Sequence, residues 1–274
     1  MFTLNCRGRL LVINEPIVMG IINATPDSFY DESRVGNIDV ALRQAEKMIR
    51  DGAVILDIGG QSTRPGSERI SDDEELKRVI PVVSAIRKKF PGIFLSIDTY
   101  YSRVAKESIM AGADIINDVS GGKQDEEIIG VAIEFKTPYV LMHEKEFLHK
   151  TKEKIQYENV TKEVLDYFIW RTDELSKKGI RDIIIDPGFG FGKDVAQNFE
   201  LIKNLSVFEI IDKPLLFGIS RKSTVWKTLG ITAAEALNGT TVLNTIGLLN
   251  GASIIRVHDV KEAIEAIQLV KHCM

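Results

Sequence analysis

Acidic and amide side chains stand at the ends of three short apolar runs of the sequence. Asp98 follows the run 93–97, Asp186 follows the run 182–185, and Asn117 lies within a third run. Two carboxylates and an amide can accept hydrogen bonds from several N–H groups at once, and the amide can also donate. These residues predict a pocket for a flat heterocycle that is rich in N–H donors.

Cationic and small polar side chains follow the last two apolar runs. Arg256 and His258 alternate along the last run, so both point the same way. Arg221, Lys222 and Ser223 come soon after the preceding run. Arginine suits phosphate best, and a short helix that begins at Ser223 would have an N-terminus able to accept an anion. We therefore expect a site for an anionic group beside the ring pocket.

Asn23 follows the first apolar run and offers a neutral oxygen ligand. Mg²⁺ is often held by few protein oxygens while substrate phosphates complete its octahedron. We expect one Mg²⁺ ion at Asn23 as the cofactor. Cys6 and Cys273 lie near opposite ends of the chain without metal-ligand spacing, so neither a zinc site nor a disulfide scaffold is predicted.

Eight β-rich runs position these side chains. Most are continuously apolar, which is typical of strands covered on both faces in a parallel sheet. Helical patterns lie between them, and the alternation predicts a (β/α)8 TIM barrel, in which all strand ends converge on one face. A doubly wound open sheet is the alternative, but no G-x-G-x-x-G follows the first strand. The runs are 17–22, 54–58, 93–97, 114–119, 139–142, 182–185, 215–219 and 253–257.

The flanking segments complete this prediction. Residues 2–6 and 9–13 are predicted as an N-terminal β-hairpin that plugs the amino-terminal mouth of the barrel. No low-complexity linker divides the chain, so residues 1–274 are predicted as one domain.

Three helices carry further signals. A helix is predicted over 40–51, ending at Gly52. Ser71 with Glu74, and Asp259 with Glu262, have the spacing of a capping box. Pro81 predicts a kink in the helix that Ser71 opens, and the segments 158–178 and 232–250 are also helical in pattern.

Composition and charge exclude several classes of protein. The net charge of −4 argues against a nucleic-acid partner. No apolar run approaches the ~20 residues needed to cross a membrane, so no membrane partner is expected. The first residues have no long apolar core followed by a small-residue cleavage site, which predicts a cytoplasmic protein.

Seven ordered motifs resemble those of the dihydropteroate synthases, a family of pterin-binding enzymes, from the first strand to the last. Any one motif alone would be weak, but seven in the right order are specific. They are NATPDSF at 23–29, DIGGQSTRPG at 57–66, SIDT at 96–99, INDV at 116–119, DPGFGFGK at 186–193, SRKS at 220–223 and RVH at 256–258.

The resemblance implies a transferase of folate biosynthesis. It would condense p-aminobenzoate with (7,8-dihydropterin-6-yl)methyl diphosphate and release diphosphate and 7,8-dihydropteroate. The implied mechanism is dissociative and SN1-like, because diphosphate leaves before the amine attacks. The resemblance also implies a sulfonamide target and a homodimer, whose interface we expect at residues 232–251 and the C-terminal helix.

The resemblance further implies a role for each motif residue. The ring would be bound by Asp98, Asn117, Asp186 and Lys222, with Arg221 packed over it. The diphosphate would contact Asn23 and its Mg²⁺, Thr63, Arg256 and His258. The p-aminobenzoate pocket would include Phe29, Thr63, Arg64, Pro65, Phe191, Lys222 and Ser223. The residues implied in catalysis are Asp31, Asp98 and Lys222, with Asp31 stabilising the reactive cation.

Two loops depart from the family pattern. A glycine pair is usual after Asp31, where this chain has Glu32 and Ser33. The family usually continues the motif at His143 with Met, a basic residue and Gly, whereas this chain has Glu144. A different orientation is therefore predicted for the loop after the fifth strand.

The alternative function is that of a pterin-binding methyltransferase acting on methyltetrahydrofolate. Such an enzyme would share the ring site of Asp98, Asn117 and Asp186. It would not need the motifs at 220–223 and 256–258, because it handles no diphosphate. Those motifs therefore favour the synthase.

Overall fold

The chain alternates between short strands and helices. The computed structural model describes residues 1–24, 34–61, 69–145 and 156–273. Its strands are β1 (Phe2–Cys6), β2 (Arg9–Ile13), β3 (Ile17–Asn23), β4 (Ile55–Gly59), β5 (Phe94–Asp98), β6 (Ile115–Asp118), β7 (Tyr139–Met142), β8 (Ile183–Asp186), β9 (Leu216–Phe217) and β10 (Ile254–Val257). Its helices are α1 (Arg34–Arg50), α2 (Asp72–Lys89), α3 (Ser102–Ala111), α4 (Glu127–Phe135), α5 (Val160–Lys178), α6 (Val195–Lys203), α7 (Ser223–Leu229), α8 (Leu237–Leu249) and α9 (Val260–Lys271), with a 3-10 helix at Leu205–Ile211.

The eight strands from β3 to β10 form one parallel sheet. Their order is β8-β7-β6-β5-β4-β3-β10-β9, so neighbours in space are mostly neighbours in sequence. A single parallel bridge between Ile185 and Leu215 brings the two ends of this sheet together. The predicted (β/α)8 barrel is therefore confirmed as a nearly closed barrel. The seventh strand, predicted over 215–219, is reduced to the two residues of β9.

Continuous apolar runs form these strands because both of their faces are buried. Every residue of β4, β6, β7 and β8 is buried. Successive residues contribute to different clusters: Tyr139 packs among the helices, whereas Val140 joins the cluster inside the barrel. This alternation is the period of two expected of any strand.

The N-terminal hairpin closes the amino end of the barrel, as predicted. Strands β1 and β2 pair antiparallel, with Phe2 opposite Ile13. Leu4 and Leu11 are buried in the cluster inside the barrel. Arg9 adds an ion pair to Asp114 at 2.8 Å, which ties the hairpin to the start of β6.

The helix signals are confirmed only in part. The Ser71 hydroxyl caps α2 by accepting from the Glu74 backbone at 3.3 Å, and α2 runs on through Pro81 to Lys89. The kink at Pro81 stays a prediction. The capping box at Asp259 is wrong, because its carboxylate makes no bond to the first turn of α9 and is bound by Arg221 instead.

The largest differences between the predicted and observed helix bounds are at two helix starts. Helix α1 begins at Arg34, before the predicted start at residue 40, and α8 begins at Leu237, after the predicted start at residue 232. No helix in the described ranges is both long enough and apolar enough to span a membrane.

Candidate active site

The predicted polar side chains meet at the carboxyl end of the barrel. Asn23, Asp98 and Asp186 are the last residues of β3, β5 and β8. Asn117 lies opposite Asp98 in the register of β5 and β6. Parallel strands that run in one direction must place these ends together, and active sites of this fold lie there.

A network of charged hydrogen bonds joins four strands in this region. The Arg256 Nε donates to Asp57 Oδ2 at 2.7 Å, and its Nη2 donates to Asp98 Oδ2 at 2.6 Å. The Asn117 amide also donates to Asp57 Oδ2, at 3.0 Å. Arg256 therefore bridges two carboxylates that would otherwise repel each other.

Asp57 belongs to this network, although the sequence did not predict it as a site residue. Its side chain is 0% exposed. A buried charge is costly unless it is paired. An aspartate inside the otherwise apolar strand β4 was the available signal, because such a residue requires a cationic partner from elsewhere in the fold.

Burial and neighbouring charges bring two site pKa values close to neutrality. Burial raises the pKa of Asp98 to about 7; the Asp57 charge adds to this, and Arg256 and Lys222 oppose it. Burial also lowers the pKa of Lys222 to about 8, although Asp186 favours its charged form. Perturbed pKa values of this kind cluster at functional sites, where side chains interact with a charged or titrating substrate.

The loop after β8 brings an aromatic ring to this cluster. The Gly188 backbone donates to Asp186 Oδ1 at 2.8 Å, which orients the carboxylate. Lys222 donates to the Phe189 carbonyl at 2.6 Å, and its Nζ lies 4.6 Å from the centre of the Phe191 ring. The predicted residues Asp186, Lys222 and Phe191 are thus brought together.

His258 lies near this cluster and is oriented by Ser220. The Ser220 hydroxyl lies 3.0 Å from His258 Nδ1 and accepts from the His258 backbone N–H at 3.2 Å. One hydroxyl thus contacts both the backbone and the imidazole of His258, and the contact to Nδ1 orients the ring. Ser220 belonged to a recognised motif, but its contact with His258 required the fold.

Arg221 is engaged elsewhere. Its Nε and Nη2 form a bidentate pair with Asp259, both at 2.9 Å. Its Nη1 donates to the carbonyls of Ala233 and Ala234. These bonds tie the loop before α8 to the start of α9, and the packing of Arg221 over a ring stays a prediction. Ser223 is the first residue of α7, as predicted.

Five predicted site residues lie outside the described residues: Phe29, Asp31, Thr63, Arg64 and Pro65. Their roles stay predictions. For the metal, no group of three His, Cys, Asp or Glu side chains suited to a cation occurs within the described ranges. Asn23, with one half-buried amide, fits a Mg²⁺ ion that takes most of its oxygens from a substrate diphosphate.

Comparisons with known proteins agree with this geometry. Residues 19–258 match the family described as pterin binding enzyme. A dihydropteroate synthase of Escherichia coli (strain K12) is 41% identical over 97% of this chain and 94% of its own length. The structure of Xanthomonas albilineans dihydropteroate synthase with 4-aminobenzoic acid has a TM-score of 0.92 at 34% identity, covering 99% of this chain and 97% of that one. A Yersinia pestis dihydropteroate synthase in complex with a sulfonamide drug has a TM-score of 0.91 at 39% identity, covering 99% and 98%.

Proposed function

The chain belongs to the dihydropteroate synthases among the pterin-binding enzymes, and on that premise we propose how its own residues divide the work of the reaction. The reaction joins p-aminobenzoate to (7,8-dihydropterin-6-yl)methyl diphosphate. The observation that carries the division of roles is the bridge from Arg256 to Asp57 and Asp98, because it connects a ring site to an anion site.

The ring of the dihydropterin lies among Asp98, Asn117, Asp186 and Lys222. Asp186 accepts from ring N–H donors, and its carboxylate is already oriented by the Gly188 backbone. Lys222 donates to a ring acceptor in place of its bond to the Phe189 carbonyl. Asp98, whose pKa is about 7, can accept or donate near neutrality.

The diphosphate lies against Arg256 and His258, with Thr63 added from the family motif. Arg256 suits it because the guanidinium can make parallel bonds to phosphate oxygens. Asn23 would hold a Mg²⁺ ion, which would neutralise charge on the leaving diphosphate.

The chemical step begins as the bond from the exocyclic carbon to the diphosphate oxygen breaks, with its electron pair leaving on oxygen. The ring spreads the resulting positive charge, and Asp98, Asp186 and Asp31 stabilise it. The amine lone pair of p-aminobenzoate then forms the C–N bond, and the proton lost from nitrogen is taken up by the released diphosphate or by water. The order of events is dissociative because the cation is stabilised by fixed anions before the amine arrives.

The second substrate lies between Phe191, Lys222 and Ser223, with Thr63 and Arg64 from the motif at 57–66. The Phe191 ring would pack on the aminobenzoate ring, and the first turn of α7 would meet its carboxylate. The Yersinia pestis relative, solved with a sulfonamide drug, supports the proposal that this chain is also a sulfonamide target.

The active form is a homodimer joined through residues 232–251 and α9. Apolar side chains on these helices support this interface, since Val242, Leu249 and Leu269 are at least half exposed. Contiguous patches of exposed apolar side chains often mark a protein–protein interface.

The experiment compares Asp186, the last residue of β8, with Asp182, which immediately precedes that strand. Asp186→Asn is expected to lower the rate of diphosphate release from both substrates with Mg²⁺ by about a hundredfold, as for loss of one charge-stabilising group. Asp182→Asn, at the amino end of the barrel, is the matched control and should retain activity.

A sulfonamide should inhibit the wild-type protein competitively with p-aminobenzoate. Absence of diphosphate release by the wild-type protein would refute the proposed function. Equal losses in the two aspartate variants would refute the assigned site.

A further inference from the structure

Lys193 lies half-buried at the end of the loop between β8 and α6 and joins two loops of the barrel. Its ammonium donates to the carbonyls of Phe191 at 3.0 Å, Gly188 at 3.1 Å and His143 at 3.2 Å. An ammonium has three N–H donors, so these three carbonyls use all of them. The side chain therefore links the end of β7 to the turn that follows β8.

This turn carries the groups proposed to contact the second substrate. The Phe191 backbone donates to the Gly188 carbonyl at 3.1 Å, so Lys193 bonds to both ends of one turn. The Phe191 ring and the Phe189 carbonyl in the same turn contact Lys222. A shift of this turn would move the aromatic wall of the pocket relative to Lys222.

The turn also packs against β7 too closely for a larger residue. Gly188 has φ +70°, and a Cβ there would lie 2.1 Å from the His143 carbonyl oxygen. The same oxygen accepts from Lys193. The two loops thus meet at one carbonyl, and the lysine is the side chain that bonds across this contact.

Glu144, where this chain departs from the family pattern, places a buried carboxyl group where its charge interacts with that of Lys193. Its side chain is buried, and its Oε2 has no hydrogen-bond partner among the described residues. Burial raises the pKa of Glu144 to about 7, and the charges of Lys193 and Lys123 limit this rise by favouring the carboxylate. Burial lowers the pKa of Lys193 to about 7, and the charges of Asp186 and Glu144 oppose this shift by favouring the ammonium form. A buried ammonium needs such compensation.

We propose that Lys193 is a positioning residue for p-aminobenzoate and that Glu144 stabilises its charge. The ammonium holds the turn 188–191 against β7 and so sets the distance between the Phe191 ring and Lys222. The inference rests on the proposed function, because it names the substrate whose pocket this turn forms.

The test measures the KM of the Lys193→Met variant for each of the two substrates. Methionine keeps the length of the side chain and removes its hydrogen-bond donors. The KM for p-aminobenzoate is expected to rise at least about tenfold, the equivalent of about 1.4 kcal/mol of binding. The KM for the dihydropterin diphosphate should change less, by under about threefold, because only two of its four ring residues, Asp186 and Lys222, contact this turn, whereas Asp98 and Asn117 lie on other strands. Lys203→Met, at an exposed position at the end of α6, is the matched control.

A rescue experiment keeps the inference testable if the methionine variant folds poorly. Lys193→Cys treated with 2-bromoethylamine regains an ammonium at nearly the original distance, and its KM for p-aminobenzoate should return towards the wild-type value. Wild-type protein treated in parallel controls for the reaction at the exposed Cys273. Glu144→Gln should raise the same KM severalfold and leave the other unchanged.

The inference is overturned if Lys193→Met leaves the KM for p-aminobenzoate unchanged or raises both constants equally, or if alkylation restores nothing. An unchanged constant in Glu144→Gln overturns the part assigned to that carboxylate. These outcomes differ from failure of the proposed function, in which the wild-type protein itself makes no dihydropteroate.

Discussion

Among the single residues of the site, Arg256 connects the ring site with the diphosphate site. Its guanidinium contacts Asp57 and Asp98, and the Asp57 side chain is completely buried. Breaking a buried ion pair by removing one partner typically costs about 3–5 kcal/mol, because a buried charge is left uncompensated. Arg256 is therefore expected to organise the ring site as well as to meet the diphosphate.

Arg256→Gln should weaken the binding of both inorganic diphosphate and a pterin, with the loss for diphosphate being larger. Because Arg256 lowers the pKa of Asp98 from the value that burial alone would impose, its removal should raise that pKa above about 7. Titration calorimetry with each ligand, and the pH profile of kcat/KM, measure these effects. Arg181→Gln at an exposed position is the control. Unchanged pterin binding would contradict the bridging role.

Among the secondary-structure elements, helix α2 places a buried acid behind the site. The side chain of Glu75 is buried and accepts from the Thr99 hydroxyl at 3.2 Å. Burial raises the pKa of Glu75 to about 8, and the Asp98 charge adds to the shift. The first turn of α2 thus places a protonated acid against the end of β5 at neutral pH.

This acid should make the protein less stable as pH rises. The Glu75 pKa is about 8 in the folded state, whereas its ordinary value, which applies to the unfolded chain, is 4.5. The protonated acid therefore contributes its full stability below pH 4.5, and this contribution is lost as the pH rises from 4.5 to about 8. The size is on the order of a few kcal/mol. Glu75→Gln should flatten this fall, measured as the free energy of unfolding in urea at pH 5 and pH 8.

Glu107→Gln at an exposed position in α3 serves as the control for this measurement. Asp98 and Glu144, whose pKa values are raised to about 7, contribute in the same direction and remain in both variants. An equal pH dependence in the wild-type and Glu75→Gln proteins would show that Glu75 is ionised in the folded state.

In the molecule as a whole, one end of the barrel is closed by the hairpin and the other end carries the site. The hairpin of β1 and β2 buries Leu4 and Leu11 against the amino end, which leaves the carboxyl end for the site. The proposed dimer surface lies on α8 and α9, outside the ring of strands. If the proposed dimer forms there, its interface and the active site occupy different surfaces of the barrel.

Val242→Glu should dissociate the proposed dimer. Val242 is 51% exposed on α8, and a charge there would be costly to bury against a second copy. Met110→Glu, at a position 63% exposed on α3, is the matched control. Sedimentation equilibrium of both variants measures the effect. A monomeric wild-type protein, or a Val242→Glu variant that remains dimeric, would contradict this interface.

Most of the architecture was predictable because its signals are local. Strand β7 was predicted to the residue, and the hairpin likewise, since an apolar run and its turn are adjacent in sequence. Strand β9 was predicted too long because a continuous apolar stretch does not show where hydrogen-bond partners end. The convergence of Asp98, Asn117 and Asp186 followed from the fold class alone.

The sequence by itself determined the barrel, the face that carries the chemistry and, through seven ordered motifs, the family. The tertiary structure alone decided which charges pair: Arg256 with Asp57, Arg221 with Asp259 instead of a helix cap, and Lys193 with three carbonyls. Periodicity is set by neighbours along the chain, so the sequence carries it. The partner of a buried charge is set by desolvation and geometry among residues far apart in sequence, and these exist only once the barrel has closed.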